Sequence, residues 1–143
     1  MLVRCLYASR AATRLTAVAL DDILVQSHRN NPRRGITGML CFTSEVFVQV
    51  LEGGRDEVCE LYNAIVRDER HTHIRLLAYE EIAERSFGSW TMGQVDAQTV
   101  NPSLLLKYSK TARLDPFTIT GQATMSLLME LAATGAITRR PTI

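Results

Sequence analysis

Residues 35–51, Gly35-Ile-Thr-Gly-Met-Leu-Cys-Phe-Thr-Ser-Glu-Val-Phe-Val-Gln-Val-Leu51, decide the fold. Two apolar runs rich in β-forming residues flank the short polar triplet Thr43-Ser44-Glu45, which predicts a hairpin. In the second run Phe47 and Leu51 point to one side and Val46, Val48 and Val50 to the other. Neither face suits water, so the sheet needs a cover on both sides. Upstream, Leu2–Ala8 reads as a strand, with Val3, Cys5 and Tyr7 on one face and Leu2, Leu6 and Ala8 on the other, interrupted by Arg4. Between these strands Leu20, Ile23, Leu24 and Ser27 recur at helical spacing, predicting a helix over about 16–29 that Asn30-Asn31-Pro32 ends.

Beyond the hairpin, Gly53-Gly54 breaks the strand and Asp56 and Glu57 suit a helix N-terminus. Val58, Leu61, Tyr62 and Ile65 then form an apolar stripe, predicting a second helix to about Arg67. Residues 74–79 and 89–95 are further strand candidates. The order βαββαββ is that of an α+β, ferredoxin-like sheet with both helices on one face. After Asn101-Pro102, the segment around Ser103-Leu-Leu-Leu-Lys-Tyr108 and the segment 118–133, with Leu127, Leu128, Met129 and Leu131, predict two more helices as the cover for the other face. The expected organisation is therefore a core of residues 1–97 and a helical cap, 98–143, whose last ten residues should fray.

The chain of 143 residues is 46% hydrophobic and 22% charged, which suits one compact fold without structural disulfides. A formal net charge of +1 offers no field to steer it onto nucleic acid or an anionic membrane. With no secretory leader pattern and no apolar run of membrane-spanning length, a soluble, intracellular, cytoplasmic protein is expected. Cys5, Cys41 and Cys59 are odd in number and widely spaced, and read as small hydrophobes of a reducing compartment.

Gln49 is the most informative residue, because it places an amide inside an apolar strand. Unpaired, it would cost about 1–3 kcal/mol, so polar partners must meet it. Tyr7, on the first strand, is the nearest phenol in this topology, and the pair is either a satisfied core contact or a functional one. Asn30 and Asn31 either cap the first helix or address the edge of a planar heterocycle. His71 and His73 could share a strand face, but no third ligand accompanies them, so no metal is expected. Gly53-Gly54-Arg55 lacks the pattern of a phosphate loop, and no nucleophile or hydrolase motif stands out. Trp90 and Met92 should share a face of the last strand, where plain packing explains them.

In order and spacing, Leu6-Tyr7-Ala-Ser-Arg10, Asn30-Asn31, Gly35-Ile-Thr-Gly38, Phe47-Val-Gln-Val-Leu-Glu-Gly53, Arg67-Asp-Glu-Arg-His71 and Ser89-Trp-Thr-Met92 resemble the BLUF domain, the blue-light sensor that uses FAD. The resemblance covers about residues 1–95, and its one departure is the hairpin turn, which lacks the glycine often found there. It implies a short, stand-alone photoreceptor rather than an enzyme, with FAD held noncovalently between the two helices. By the same resemblance Tyr7 and Gln49 are the photoactive pair, accompanied by Trp90 and Met92. Asn31 would bind the ring edge, Ile23 and Ile65 would sandwich its faces, and Ser27, Asn30, Arg70 and His71 would complete the site. It further implies a downstream protein partner; the surplus apolar side chains of 101–133 leave area for that partner or for homo-oligomerisation, and the charge balance predicts no direct contact with nucleic acid or membrane. Two readings without this chromophore compete: a ferredoxin-like regulatory or dimerisation module, and a small acylphosphatase-type enzyme.

Overall fold

The hairpin is the centre of a five-stranded sheet. The computed structural model describes residues 1–13 and 16–134; the expectation that 134–143 fray falls, apart from Thr134, outside the described residues. Strand β1 (Leu2–Ala11) is followed by helix α1 (Ala17–Arg34), β2 (Thr37–Phe42), β3 (Val46–Gly54), α2 (Arg55–Arg67), β4 (His71–Ile82) and β5 (Gly93–Asp96). A single 3-10 turn (Ala97–Thr99) leads to α3 (Pro102–Tyr108) and α4 (Gly121–Ala133). The strand order is β4-β1-β3-β2-β5, with β5 parallel to β2 and the other neighbours antiparallel. This is the ferredoxin-like arrangement expected, extended by one edge strand.

The alternation read from β1 and β3 divides the interior into two cores. Val3, Cys5, Tyr7, Phe47 and Leu51 meet Leu24 of α1 and Val58 of α2 on one face. Leu6, Ala8, Val46, Val48 and Val50 meet Leu105 of α3 and Leu127, Leu128 and Leu131 of α4 on the other. The apolar C-terminal helices are thus consumed largely as the second cover. Two close approaches, one between neighbouring strands and one between α4 and β4, require glycine. A Cβ on Gly38 would stand 2.0 Å from the Val50 carbonyl oxygen, and one on Gly121 would stand 2.5 Å from that of Leu77.

Three expectations fail locally. Helix α1 does not stop before Pro32 but continues to Arg34, with Asn30 and Asn31 inside it rather than capping it. Proline in the last turn forgoes one backbone bond, and the end is closed instead by Gly35, which is left-handed at φ 66°. The Ile36 amide donates to Asn31 O and the Gly35 amide to Pro32 O, the Schellman pattern. The last strand is short: Ser89–Met92 precedes β5 as an irregular segment. Strand β4 begins earlier than expected and carries irregularities in its pairing with β1, including His73 at φ 50°. That residue turns His73 onto Phe117 of the cap side, whereas His71 packs on Phe47 of the other, so the two histidines do not share a face.

Candidate functional site

Helices α1 and α2 lie on the same side of the sheet, and between them opens a cavity of about 200 Å³. From α1 it is lined by Ile23, Gln26, Ser27, Asn30, Asn31 and Arg34, a single face at intervals of three and four residues. Continuing α1 past Pro32 is what brings Arg34 onto that face. Opposite stand Leu61, Ala64 and Ile65 of α2 with Asp68, Arg70 and His71 just beyond it. The floor is the sheet, through Tyr7, Leu40, Phe47 and Gln49.

At the floor, the buried Tyr7 hydroxyl donates to Gln49 Oε1. The pairing follows from register, since Tyr7 on β1 stands directly opposite Gln49 on β3. Gln49 Nε2 donates to Met92 Sδ at 3.3 Å. Burial drives the Tyr7 phenol far above its ordinary pKa, helped by Cys5 and Tyr62, so it keeps its proton. Asn31 is 2% exposed and sends its Nδ2 to the carbonyl of Thr91 at 3.2 Å. The adjacent Trp90 carbonyl accepts from the Gly38 amide at 3.1 Å. Consecutive residues of the irregular segment 90–92 are therefore tied to β2, α1 and β3.

Trp90 and Met92 do not share a face. Met92 is buried with Tyr7 and Phe47 on the cavity side, and Trp90 packs against the cap-side core. Because they precede β5 instead of belonging to it, strand alternation does not govern them. Trp90 is not among the residues lining the cavity.

The rim is polar. Asp68 holds Arg70 through both carboxylate oxygens, and Gln26 accepts from the same guanidinium at 3.0 Å. The Arg70 hydrogen bonds hold the Asp68 carboxyl below its usual range. His71 is bonded to Ser9 Oγ through Nδ1 at 2.8 Å, and its pKa falls chiefly through burial, against the raising influence of Asp68.

Each residue expected at the cofactor, Tyr7, Ile23, Ser27, Asn30, Asn31, Gln49, Ile65, Arg70 and His71, lines this one cavity. Gln26, Arg34, Leu61, Ala64 and Asp68 were not foreseen, although extending the two helical stripes by one step finds them. Glu52 also escaped notice. It is completely buried on the cap side and accepts from Arg4 Nε and from the Ser86 and Phe87 amides. Arg85 reaches the Gly35 carbonyl at 2.7 Å and Thr37 Oγ1 at 2.8 Å, so the segment leading to Met92 is anchored at its start.

The lining suits a planar aromatic heterocycle. Apolar side chains of facing helices bound the slot, amides stand at its floor, and the rim carries the cation Arg34 beside the Arg70–Asp68 ion pair. No group of three potential metal ligands occurs among the described residues, and no helix there is long and apolar enough to cross a membrane.

The model of the BLUF family, sensors of blue-light using FAD, matches residues 2–93. Among curated proteins, the photoactivated adenylate cyclase subunit beta of Euglena gracilis is 36% identical over 87 residues, 60% of this chain and 10% of the cyclase subunit. The chain thus spans about a tenth of the length of that relative. Among solved structures, BlsA in its photo-activated state superposes with a TM-score of 0.81 at 32% identity, covering 92% of this chain and 94% of BlsA. BlrB, a BLUF protein in its dark state, gives 0.75 at 31% identity, covering 94% of this chain and 96% of BlrB.

Proposed function

Since the chain belongs to the BLUF family of blue-light sensors, we propose that it binds FAD in the cavity between α1 and α2 and converts light into a rearranged hydrogen-bond chain Tyr7–Gln49–Met92. When bound, the flavin supplies blue-light absorption and an oxidising excited state. The other parts belong to the protein. Ile23 and Ile65 bound the slot from opposite helices, Asn31 and Gln49 present amides to a ring edge, and Ser27, Asn30, Arg70 and His71 take the remaining polar groups. The buried connection through Gln49 is the observation that carries this reading.

With flavin held in the slot as the electron acceptor, Tyr7 would be the donor of the electron and its phenolic proton would pass along the hydrogen bond to Gln49 Oε1; the return of both to Tyr7 would leave no net chemistry. An amide offers an acceptor at one corner and a donor at the other, so turning or tautomerising Gln49 exchanges what it presents. A turned Gln49 sets Oε1 against Met92 Sδ. A thioether accepts but cannot donate, so that contact breaks. Released from Gln49, Met92 shifts the segment 90–92 and β5 behind it, and residues 98–143, as the output segment, carry the change to a partner protein or a second copy of the chain. The free thiols suit a reducing, cytoplasmic setting.

The test is the spectrum of the purified protein. A flavin band that moves reversibly to the red in blue light, with acid or heat releasing intact FAD, supports the proposal. Colourless protein that takes up no added FAD contradicts it.

A further inference from the structure

His71 is the histidine at the cavity, and a buried hydroxyl dictates its state. Ser9 is completely buried on β1, and its Oγ makes one hydrogen bond among the described residues, to His71 Nδ1 at 2.8 Å. A hydroxyl proton shut away from water must be donated, and Nδ1 is the acceptor within reach. Nδ1 therefore carries a lone pair. A neutral imidazole that accepts at Nδ1 bears its proton on Nε2. Nε2 makes no hydrogen bond among the described residues, and His71 lines the cavity, so the open N–H belongs to that space.

We propose that Ser9 fixes His71 as the uncharged, Nε2-protonated imidazole, making it a single neutral donor for an oxygen or ring-nitrogen acceptor of the bound ligand rather than a cationic clamp for phosphate. The ring has little freedom to present otherwise, since it packs on Phe47 with centroids 4.8 Å apart and lies edge-on to Tyr7 at 6.5 Å. The left-handed residue His73 supports the arrangement by letting β4 place His71 on the helix side and His73 on the cap side. Burial, which lowers the pKa of His71, acts in the same direction. Charge for an anionic tail is left to Arg34, since Arg70 is paired with Asp68. The identity of the acceptor rests on the flavin reading, but the tautomer does not.

The experiment is a long-range proton–nitrogen correlation spectrum of the protein as purified, labelled at histidine nitrogen, at pH 7.5. His71 should show the Nε2-protonated neutral pattern. Ser9→Ala should produce a tautomer mixture and weaken flavin binding by roughly three- to tenfold, the worth of one hydrogen bond. Ser9→Thr, which keeps the hydroxyl, should restore both. An Nδ1-protonated or doubly protonated His71 in the parent protein, or an unaltered tautomer in Ser9→Ala, overturns the proposal. Colourless protein with the Nε2-protonated pattern upholds the role of Ser9 and contradicts only the flavin reading.

Discussion

Gln49 and Met92 are joined by a hydrogen bond from Nε2 to Sδ, 3.3 Å long, which links the cavity floor to the segment entering β5. Trp90, two residues earlier, lies in the other core. The Thr91 carbonyl between them is held by Asn31 and the Trp90 carbonyl by Gly38, so the proposed displacement of Met92 should be felt on both sides of the sheet. Replacing Met92 by Leu keeps the volume and removes the sulfur acceptor. The variant should retain its light-induced red shift yet lose any light-dependent change in hydrogen exchange over residues 93–134, which the parent should display. Equal exchange responses in variant and parent would place the output elsewhere.

Glu52 shows how the segment before Met92 is held. Its carboxylate is fully buried and meets one guanidinium and two amides. Glu52→Ala leaves the two amides without their acceptor and Arg4 with only Glu80 and Ser86 Oγ, and should lower the unfolding free energy by about 3 kcal/mol. Urea denaturation measures this; a loss below about 1 kcal/mol would show that water replaces the carboxylate freely.

The three thiols differ in accessibility. Cys5 and Cys41 are buried, and burial pushes each up to about 12, whereas Cys59 is partly exposed on α2 beside Tyr79. A thiol must ionise to react. Native alkylation at pH 8 should therefore add one label, at Cys59, and unfolding should release the other two; mass spectrometry reads the number and place.

Acid should weaken the fold through His71. Its folded pKa lies below the ordinary 6.5, so the unfolded chain binds its proton first as pH falls. This contribution to stability is present above the ordinary value and declines as pH drops through the folded one. The melting temperature of His71→Gln should vary less between pH 7.5 and 5 than that of the parent, and identical slopes would assign the acid sensitivity to other groups.

Periodicity made the sheet and its two covers legible, because strands buried on both faces show apolar residues on both, as Val46–Leu51 does. It made Gln49 legible as a polar intrusion. What it could not show depended on tertiary contacts. Pro32 reads as a stop, yet Gly35 and Ile36 supply the closure that lets α1 run on and present Arg34. Trp90 and Met92 alternate like strand residues, yet their carbonyl and thioether contacts hold them in an irregular path. Glu52 reads as a polar strand end until Arg4 and the 86–87 backbone close over it. His73 reads as an ordinary strand residue, and its positive φ has no local signature.

The role proposed for the Gln49 amide is that of the switching element beside a light-absorbing flavin. It is tested most directly by the light-minus-dark absorption spectrum of Gln49→Leu, a change of similar shape that removes both amide corners. Flavin should remain bound and the reversible red shift should vanish. A red shift of parental size in Gln49→Leu would contradict the account.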